Sequence, residues 1–337
     1  MTANKKDIII VGAGPAGLVA AINLNREGFN VILQDKQKRI GGEPGFHPSV
    51  HGTPVDIPGL FDYIGIDCGE AFKKLNPDNN KTFVDGKLVG NFDLLMGKED
   101  KGADEVRIYN TERGHRPTSL DSFLFRIAEK EGVNIEFNKS FKEEDIVKAP
   151  KGTILATGLS PNVYAWLGVE WSILAGYWAY SEIDSDEVTA AAYMGGFSNE
   201  YGYTASMNKL WYVLLFARKE VSTENLDTFK KILTDCEGRT FDKWQRFKGQ
   251  APKEPRLFYK DFILTGTTGG WVEPGFSFGI TGALLSGKVA AMAVTEPEKA
   301  EQEFNRFTSG IPLHIARKRQ PGYVPTFKMG ELWFDIS

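Results

Sequence analysis

The feature that most constrains this chain is a glycine turn placed directly after a short apolar run. Asp7-Ile8-Ile9-Ile10-Val11 has the composition of a buried parallel strand. It runs into Gly12-Ala13-Gly14-Pro15-Ala16-Gly17 and then into a helical stretch from Leu18 to Glu27. Gly28 stops that helix, and Asn30 to Leu33 forms a second strand ending at Asp35 and Lys36. In such a turn Gly12 makes the tight bend, Gly14 lets a pyrophosphate approach the backbone, and Gly17 lets helix and strand pack closely. The helix start offers unpaired N–H groups and partial positive charge to phosphates. Asp35 falls 18 residues beyond Gly17, about where an acidic side chain meets a ribose hydroxyl. Strand, turn, helix, second strand and acid together predict a dinucleotide site.

The rest of the chain is ordinary in bulk. Its 337 residues, 42% hydrophobic and 25% charged, suit one large or two modest globular domains. A net charge of −4 and the lack of a long basic stripe argue against nucleic acid as a partner. Cys68 and Cys236 are far apart and form no CxxC, so they read as reduced thiols of a cytoplasmic protein. Met1 to Lys6 is short and polar, unlike a signal peptide, and no window has the apolar length of a membrane span.

After Asp35, the segment Arg39-Ile40-Gly41-Gly42 lets the backbone pass close to something bulky, either the adenosine half of a cofactor or an isoalloxazine edge. His47 and His51 have the i, i+4 spacing of a helical metal pair, but Pro44, Pro48 and Gly52 argue against a helix there. Asp85-Gly86 marks a hairpin between two short strands. A helix is predicted from about Asp121 to Glu131, a strand over 133–137 and another over 153–155. From 165 to 256 aromatics are dense, and Leu210 to Phe216 reads as a strand apolar on both faces, with a helix from Asn225 to Cys236 packed on the sheet. Some of this aromatic surface, with Trp166 and Trp178 nearby, is expected to wall a cavity. A strand at 261–265, a glycine loop and a helix from about Gly279 follow. The basic run Ile315 to Arg319 reads as a solvated face, with contact to a lipid surface as the alternative.

These separated pieces resemble the flavin-dependent oxidoreductases of the para-hydroxybenzoate hydroxylase superfamily, and within it the geranylgeranyl reductase family. Val11 to Gly17 with Asp35 and Lys36 looks like that family's FAD-binding unit. Leu155-Ala156-Thr157-Gly158-Leu159-Ser160 is similar to its middle motif, and Gly266 to Pro274 with Phe278-Gly279-Ile280 to its third. Tyr201-Gly202-Tyr203 resembles the Gly-Tyr that enters the substrate sheet. Thr267 stands where the family has an aspartate bonding a ribityl hydroxyl, Thr157 stands where it has an acidic residue, and no Cys-Gly-Gly motif is found.

The resemblance implies an α/β fold: a Rossmann-like FAD-binding domain of the glutathione reductase type with an inserted β-rich substrate domain. The FAD domain would comprise 1–164 and 257–300 with a β-rich excursion at about 43–115, the substrate sheet 165–256, and a tail 301–337. It implies FAD contacts from Gly12, Gly14, Pro15, Ala16, Gly17, Asp35, Lys36, Gly42, Arg116, Ala156, Thr157, Gly158, Gly266, Thr267, Pro274, Gly279 and Ile280, with Trp271 near the ring. No catalytic acid is assigned; Tyr203, His47 and Glu273 are the candidates. The expected activity is reduction of a carbon–carbon double bond in a small apolar, isoprenoid-like molecule. The alternatives are an NAD(P)H- and oxygen-dependent aromatic hydroxylase and a flavoprotein without turnover. No second GxGxxG follows the first, so the electron donor is NAD(P)H docking transiently or an electron-transfer protein.

Overall fold

The structure, a computed structural model, describes residues 7–42, 47–90, 107–273 and 277–311. The strands run in chain order as β1 (Asp7–Val11), β2 (Asn30–Gln34), β3 (Ser49–Val55), β4 (Phe72–Lys74), β5 (Asn80–Val84), β6 (Lys87–Gly90), β7 (Arg107–Arg113) and β8 (Asn134–Glu136). They continue as β9 (Thr153–Leu155), β10 (Trp171–Glu182), β11 (Thr189–Met194), β12 (Tyr201–Met207), β13 (Leu210–Ala217), β14 (Gln245–Pro252), β15 (Phe258–Tyr259) and β16 (Phe262–Leu264).

Six of them form the dinucleotide-domain sheet in the order β15-β16-β9-β1-β2-β8, parallel except for β15. The helices Pro15–Arg26 and Ile280–Thr295 pack together beside it. Their approach needs glycine: a Cβ on Gly287 would stand 2.5 Å from the Ala16 carbonyl oxygen. Gly17 meets the same limit, since its Cβ would fall 1.9 Å from the Gly12 carbonyl oxygen. The predicted helix near Asp121 runs Leu120–Lys130, and the Ser119 side chain caps it by accepting from the Ser122 N–H.

A second sheet has seven strands in the order β14-β10-β13-β12-β11-β5-β6. The excursion at 43–115 is thus divided: β5 and β6 join this larger sheet, while β3, β7 and β4 form a small antiparallel sheet of their own. The Asp85-Gly86 turn joins β5 to β6, both residues at positive φ.

Strand β13 is buried along its whole length. Trp211, Val213 and Leu215 face the helix Thr223–Glu237, whereas Tyr212, Leu214 and Phe216 face the dinucleotide domain. The same alternation explains Tyr201-Gly202-Tyr203. A Cβ on Gly202 would lie 2.2 Å from the Phe229 ring on the helix side, while the two tyrosines point to the opposite face.

Helices Ile57–Ile64, Asp145–Lys148, Pro161–Leu167 and Pro297–Thr308 had no sequence expectation, and three tryptophans are reassigned. Of these, Ile57–Ile64 and Pro297–Thr308 close the dinucleotide domain. Helix Pro297–Thr308 covers Trp271, which is fully buried against Phe304 and Phe307 at ring distances of 5.7 and 5.9 Å. Trp271 is therefore a core residue and lines no cavity. Trp166 packs in the cluster around Tyr164 and Phe262, and Trp178 is wholly buried beneath the large sheet, so neither lines the cavity described below. The expected tail of 301–337 begins inside the helix Pro297–Thr308, and its residues from 312 onward lie outside the described residues, as does Pro274.

Candidate active site

One cavity of about 340 Å³ lies where the two large sheets face each other. One end is backbone. The helices Pro15–Arg26 and Ile280–Thr295 both start here, at Gly14 and Gly279, and neither start is capped by a side chain. Two uncapped helix starts give the cavity N–H donors and positive partial charge. The other end is apolar, built from Leu174, Leu214, Phe216 and Phe247 of the large sheet with Leu159.

Glycine shapes the backbone end. A Cβ on Gly158 or Gly279 would meet nothing within 4 Å, and one on Gly14 would meet only the Arg113 guanidinium at 3.9 Å. All three line the cavity, so side chains there would fill space that the chain keeps open. Gly12 differs: it sits at φ +107, and its Cβ would lie 2.3 Å from the Ala156 carbonyl oxygen, so its role is close packing of turn on strand.

The three motifs are tied to one another. The Tyr164 hydroxyl reaches the Gly158 and Thr267 carbonyls at 3.2 and 3.0 Å. The Thr157 and Thr268 hydroxyls are 3.1 Å apart. Ser286 accepts the Gly266 N–H at 2.8 Å, which locks the third motif onto the helix Ile280–Thr295. Through these bonds Pro15, Ala16, Ala156, Gly266, Thr267 and Ile280 come together on the cavity wall, and Thr157 stands one layer behind.

Asp35 takes the Ala13 N–H at 2.7 Å and the Gln37 N–H at 2.8 Å, which fixes the carboxylate beside the glycine turn. Lys36 is exposed, and Gly42 lies against the Gln37 side chain; Asp35, Lys36 and Gly42 gather at the end of β2 and do not line the cavity. The bulky group that Gly41 passes is protein, since its Cβ would lie 2.1 Å from Gly114 backbone atoms.

Arg116 is a correction. It pairs with Glu112 at 3.3 Å and donates to the Asn208 carbonyl at 2.7 Å, and it does not line the cavity. The arginine on the wall is Arg113, at the end of β7. Its fork binds Asp121 at 2.7 and 2.9 Å, and Asp121 also accepts the Gly114 N–H. Burial alone would raise the Asp121 carboxyl, but the Arg113 charge and hydrogen bond hold it below the usual range. Arg113 sat unremarked in the sequence because its neighbour Gly14 is remote along the chain.

Two histidines also line this wall. His47 Nδ1 is 2.7 Å from the Ser49 hydroxyl, which is 2.8 Å from His51 Nε2. The i, i+4 spacing thus places the rings on either side of one serine along β3. Burial, reinforced by the Arg113 charge, pushes both imidazoles down to about 3, so both are neutral near pH 7. Tyr203 lines the cavity and accepts the Gly52 N–H; burial raises its phenol. Glu273 is buried behind the cavity, its N–H bonded to the Phe278 carbonyl at 3.0 Å.

Comparison with known proteins agrees with this architecture. The model of the NAD(P)-binding Rossmann-like domain family matches residues 10–58. The chain has the same fold as a geranylgeranyl bacteriochlorophyll reductase-like protein from Thermoplasma acidophilum. That likeness has a TM-score of 0.69 at 17% identity and covers 93% of this chain and 87% of the other. A 4,4'-diapophytoene desaturase (4,4'-diapolycopene-forming) from Methylomonas sp is 58% identical over 141 residues, which are 42% of this chain and 23% of the desaturase. Lysine-specific histone demethylase 1 homolog 3 of Arabidopsis thaliana is 43% identical over 158 residues, 47% of this chain and 8% of that protein. The chain spans less than a third of the length of these curated relatives. It carries a Rossmann-like dinucleotide-binding domain, and its fold is shared with that reductase-like protein.

Proposed function

We infer that this protein is an FAD-dependent oxidoreductase that reduces a carbon–carbon double bond in a small apolar molecule. The observation that carries the reading is one cavity with two helix starts and open glycines at one end and aliphatic and aromatic side chains at the other. The residues fit FAD: Gly14 leaves room for a pyrophosphate beside the helix start and Arg113, while Gly279 and Ile280 offer N–H groups to an anionic ring edge. When bound, the flavin supplies the hydride chemistry, and the protein supplies binding, orientation and electrostatics. Reduction and desaturation are the same two-electron change at a carbon–carbon bond run in opposite directions. The names of the reductase-like neighbour and of the desaturase are therefore consistent with one site chemistry.

The cavity's charge supports an apolar substrate over a compact aromatic acid. A buried carboxylate needs a cationic partner. Among the described lining residues the only lysine or arginine is Arg113, already bound to Asp121 through both oxygens. An apolar chain needs no such partner, and each methylene it buries contributes about 0.8 kcal/mol. The electron donor is NAD(P)H docking transiently or an electron-transfer protein.

The test gives the dithionite-reduced, FAD-loaded protein a panel of prenyl lipids and aromatic acids without oxygen and follows flavin reoxidation. Reoxidation by prenyl lipids is expected. Hydroxylation of an aromatic acid in a parallel run with NAD(P)H and oxygen would replace this reading with the hydroxylase. Tight FAD with no reoxidation by any prenyl lipid would leave a flavin-binding protein without turnover.

A further inference from the structure

The apolar end of the cavity carries one polar group held in a fixed place. Tyr203 of β12 stands directly across from Leu214 of β13, so its ring shares the cavity face with the aliphatic wall. Its oxygen accepts the N–H of Gly52 on β3, and Gly52 lines the cavity beside it. A phenol has a proton to give as well as lone pairs to accept with. Among the described residues no protein group takes the Tyr203 proton, which is left for an occupant of the cavity.

Strand β3 also ties this phenol to the other end of the cavity. The residue after Gly52, Thr53, is fully buried, and its hydroxyl lies 3.2 Å from that of Thr281 in the first turn of the helix Ile280–Thr295. Tyr203 is thus held, through Gly52 and Thr53, at a set distance from the helix start that offers its N–H groups to the flavin ring. Burial raises the phenol above its ordinary value and outweighs the Gly52 N–H, which favours the charged form. Near neutral pH such a group gives a hydrogen bond and keeps its proton.

We propose that Tyr203 donates a hydrogen bond to a carbonyl oxygen conjugated with the double bond to be reduced, so that the substrates of this site are α,β-unsaturated carbonyl compounds with an apolar chain. The proposal rests on the reductase reading and narrows it. A hydride is a nucleophile. Added to an isolated double bond, it leaves the electron pair on carbon; added to a conjugated one, it lets the pair move to the carbonyl oxygen. A donor aimed at the atom where that charge develops lowers the barrier. The step balances. The hydride from the reduced flavin bonds to the β-carbon, the carbon–carbon π pair shifts toward the carbonyl, and the charge settles on the oxygen held by Tyr203. A proton from water then bonds to the α-carbon and the carbonyl re-forms, with Tyr203 unchanged. A carbonyl is neutral, so it needs a donor but not the cationic partner that a buried carboxylate would require.

The test uses the full-length, FAD-loaded protein with geranial and geraniol. The two share a carbon skeleton with two double bonds, and only geranial has one of them conjugated with a carbonyl. After dithionite reduction and without oxygen, geranial should reoxidise the flavin about 10²-fold faster than geraniol or more, as expected for one well-placed donor at a developing oxyanion. The product should be citronellal, its isolated double bond intact. Equal rates for the two compounds, or reduction of the isolated bond of geranial, would overturn the proposal. With the flavin oxidised there is no turnover, and the infrared band of ¹³C-carbonyl geranial reports the hydrogen bond directly. The band should fall in frequency on binding and return in Tyr203→Phe, which keeps the ring and removes the hydroxyl; FAD content and melting serve as fold controls. The same frequency in both proteins would overturn the proposal, as would a Tyr203→Phe rate with geranial within twofold of the unsubstituted protein. Should Tyr203→Phe fail to fold, an unshifted band in the unsubstituted protein would overturn it equally. Reoxidation by prenyl lipids with geranial inert would end this proposal and leave the reductase reading standing. Failure of geranial and of every prenyl lipid would sink the reductase reading, and the infrared shift would then show whether Tyr203 binds a carbonyl at all.

Discussion

Mild acid should destabilise this protein through the two cavity histidines. Each ring falls from its ordinary 6.5 to about 3 on folding, mainly because burial disfavours the charged form. Between those values the unfolded chain binds a proton on each ring and the folded chain does not. Stability rises with pH wherever the unfolded state holds more protons. The contribution is therefore complete above 6.5 and is lost progressively as pH falls toward 3. The loss is about 1.4 kcal/mol per pH unit per ring. At pH 5, about 1.5 units below the unfolded value, the pair would lose about 4 kcal/mol. Water entering the cavity lowers this figure, because both rings are only half-buried, so about 4 kcal/mol is an upper bound. Even half of it is a large share of the roughly 5–15 kcal/mol by which a domain is stable. Asp121 does not confuse the measurement, since its lowered carboxyl stays ionised throughout this window. Urea midpoints of FAD-saturated protein, followed by tryptophan fluorescence at pH 7.5 and 5, are compared with those of His47→Gln/His51→Gln. The unsubstituted protein should lose about 2–4 kcal/mol more than the double variant. Equal losses in the two proteins would refute the claim that these rings are buried neutral.

Three further outcomes follow from the site. Gly14→Val places a branched side chain in the open space beside Arg113 and should abolish FAD retention; full FAD content after gel filtration would show that the phosphates lie elsewhere. Thr267→Ala removes a neutral hydroxyl from the cavity wall and should weaken FAD by about 0.5–1.5 kcal/mol, read by titration of the apoprotein. Gly287→Ala sets a Cβ 2.8 Å from the Val19 Cβ between two packed helices; it should lower stability by about 1–3 kcal/mol in urea with little change in FAD affinity.

The sequence by itself determined the parts whose causes are local. The glycine turn after β1, the Asp35 that fixes it, the Asp85-Gly86 hairpin and the helix near Asp121 each depend on a few adjacent residues and backbone angles. The unbroken apolar run of β13 likewise told that both faces are buried, because a strand's period of two turns successive side chains to opposite faces. Tertiary structure alone decided which groups share the cavity. Arg113 and not Arg116 faces it, because the end of β7 sets one arginine beside Gly14 while Glu112 and Asn208 hold the other. Trp271 went to the core because the helix Pro297–Thr308 supplies Phe304 and Phe307 to cover it. His47 and His51 read as a failed metal pair until Ser49 stood between them and the surrounding protein lowered both imidazoles. Backbone turns follow from short-range sterics that a sequence records. Desolvation and charge at a site are sums over neighbours far apart in the chain, and those are assigned only when the sheets close on one another.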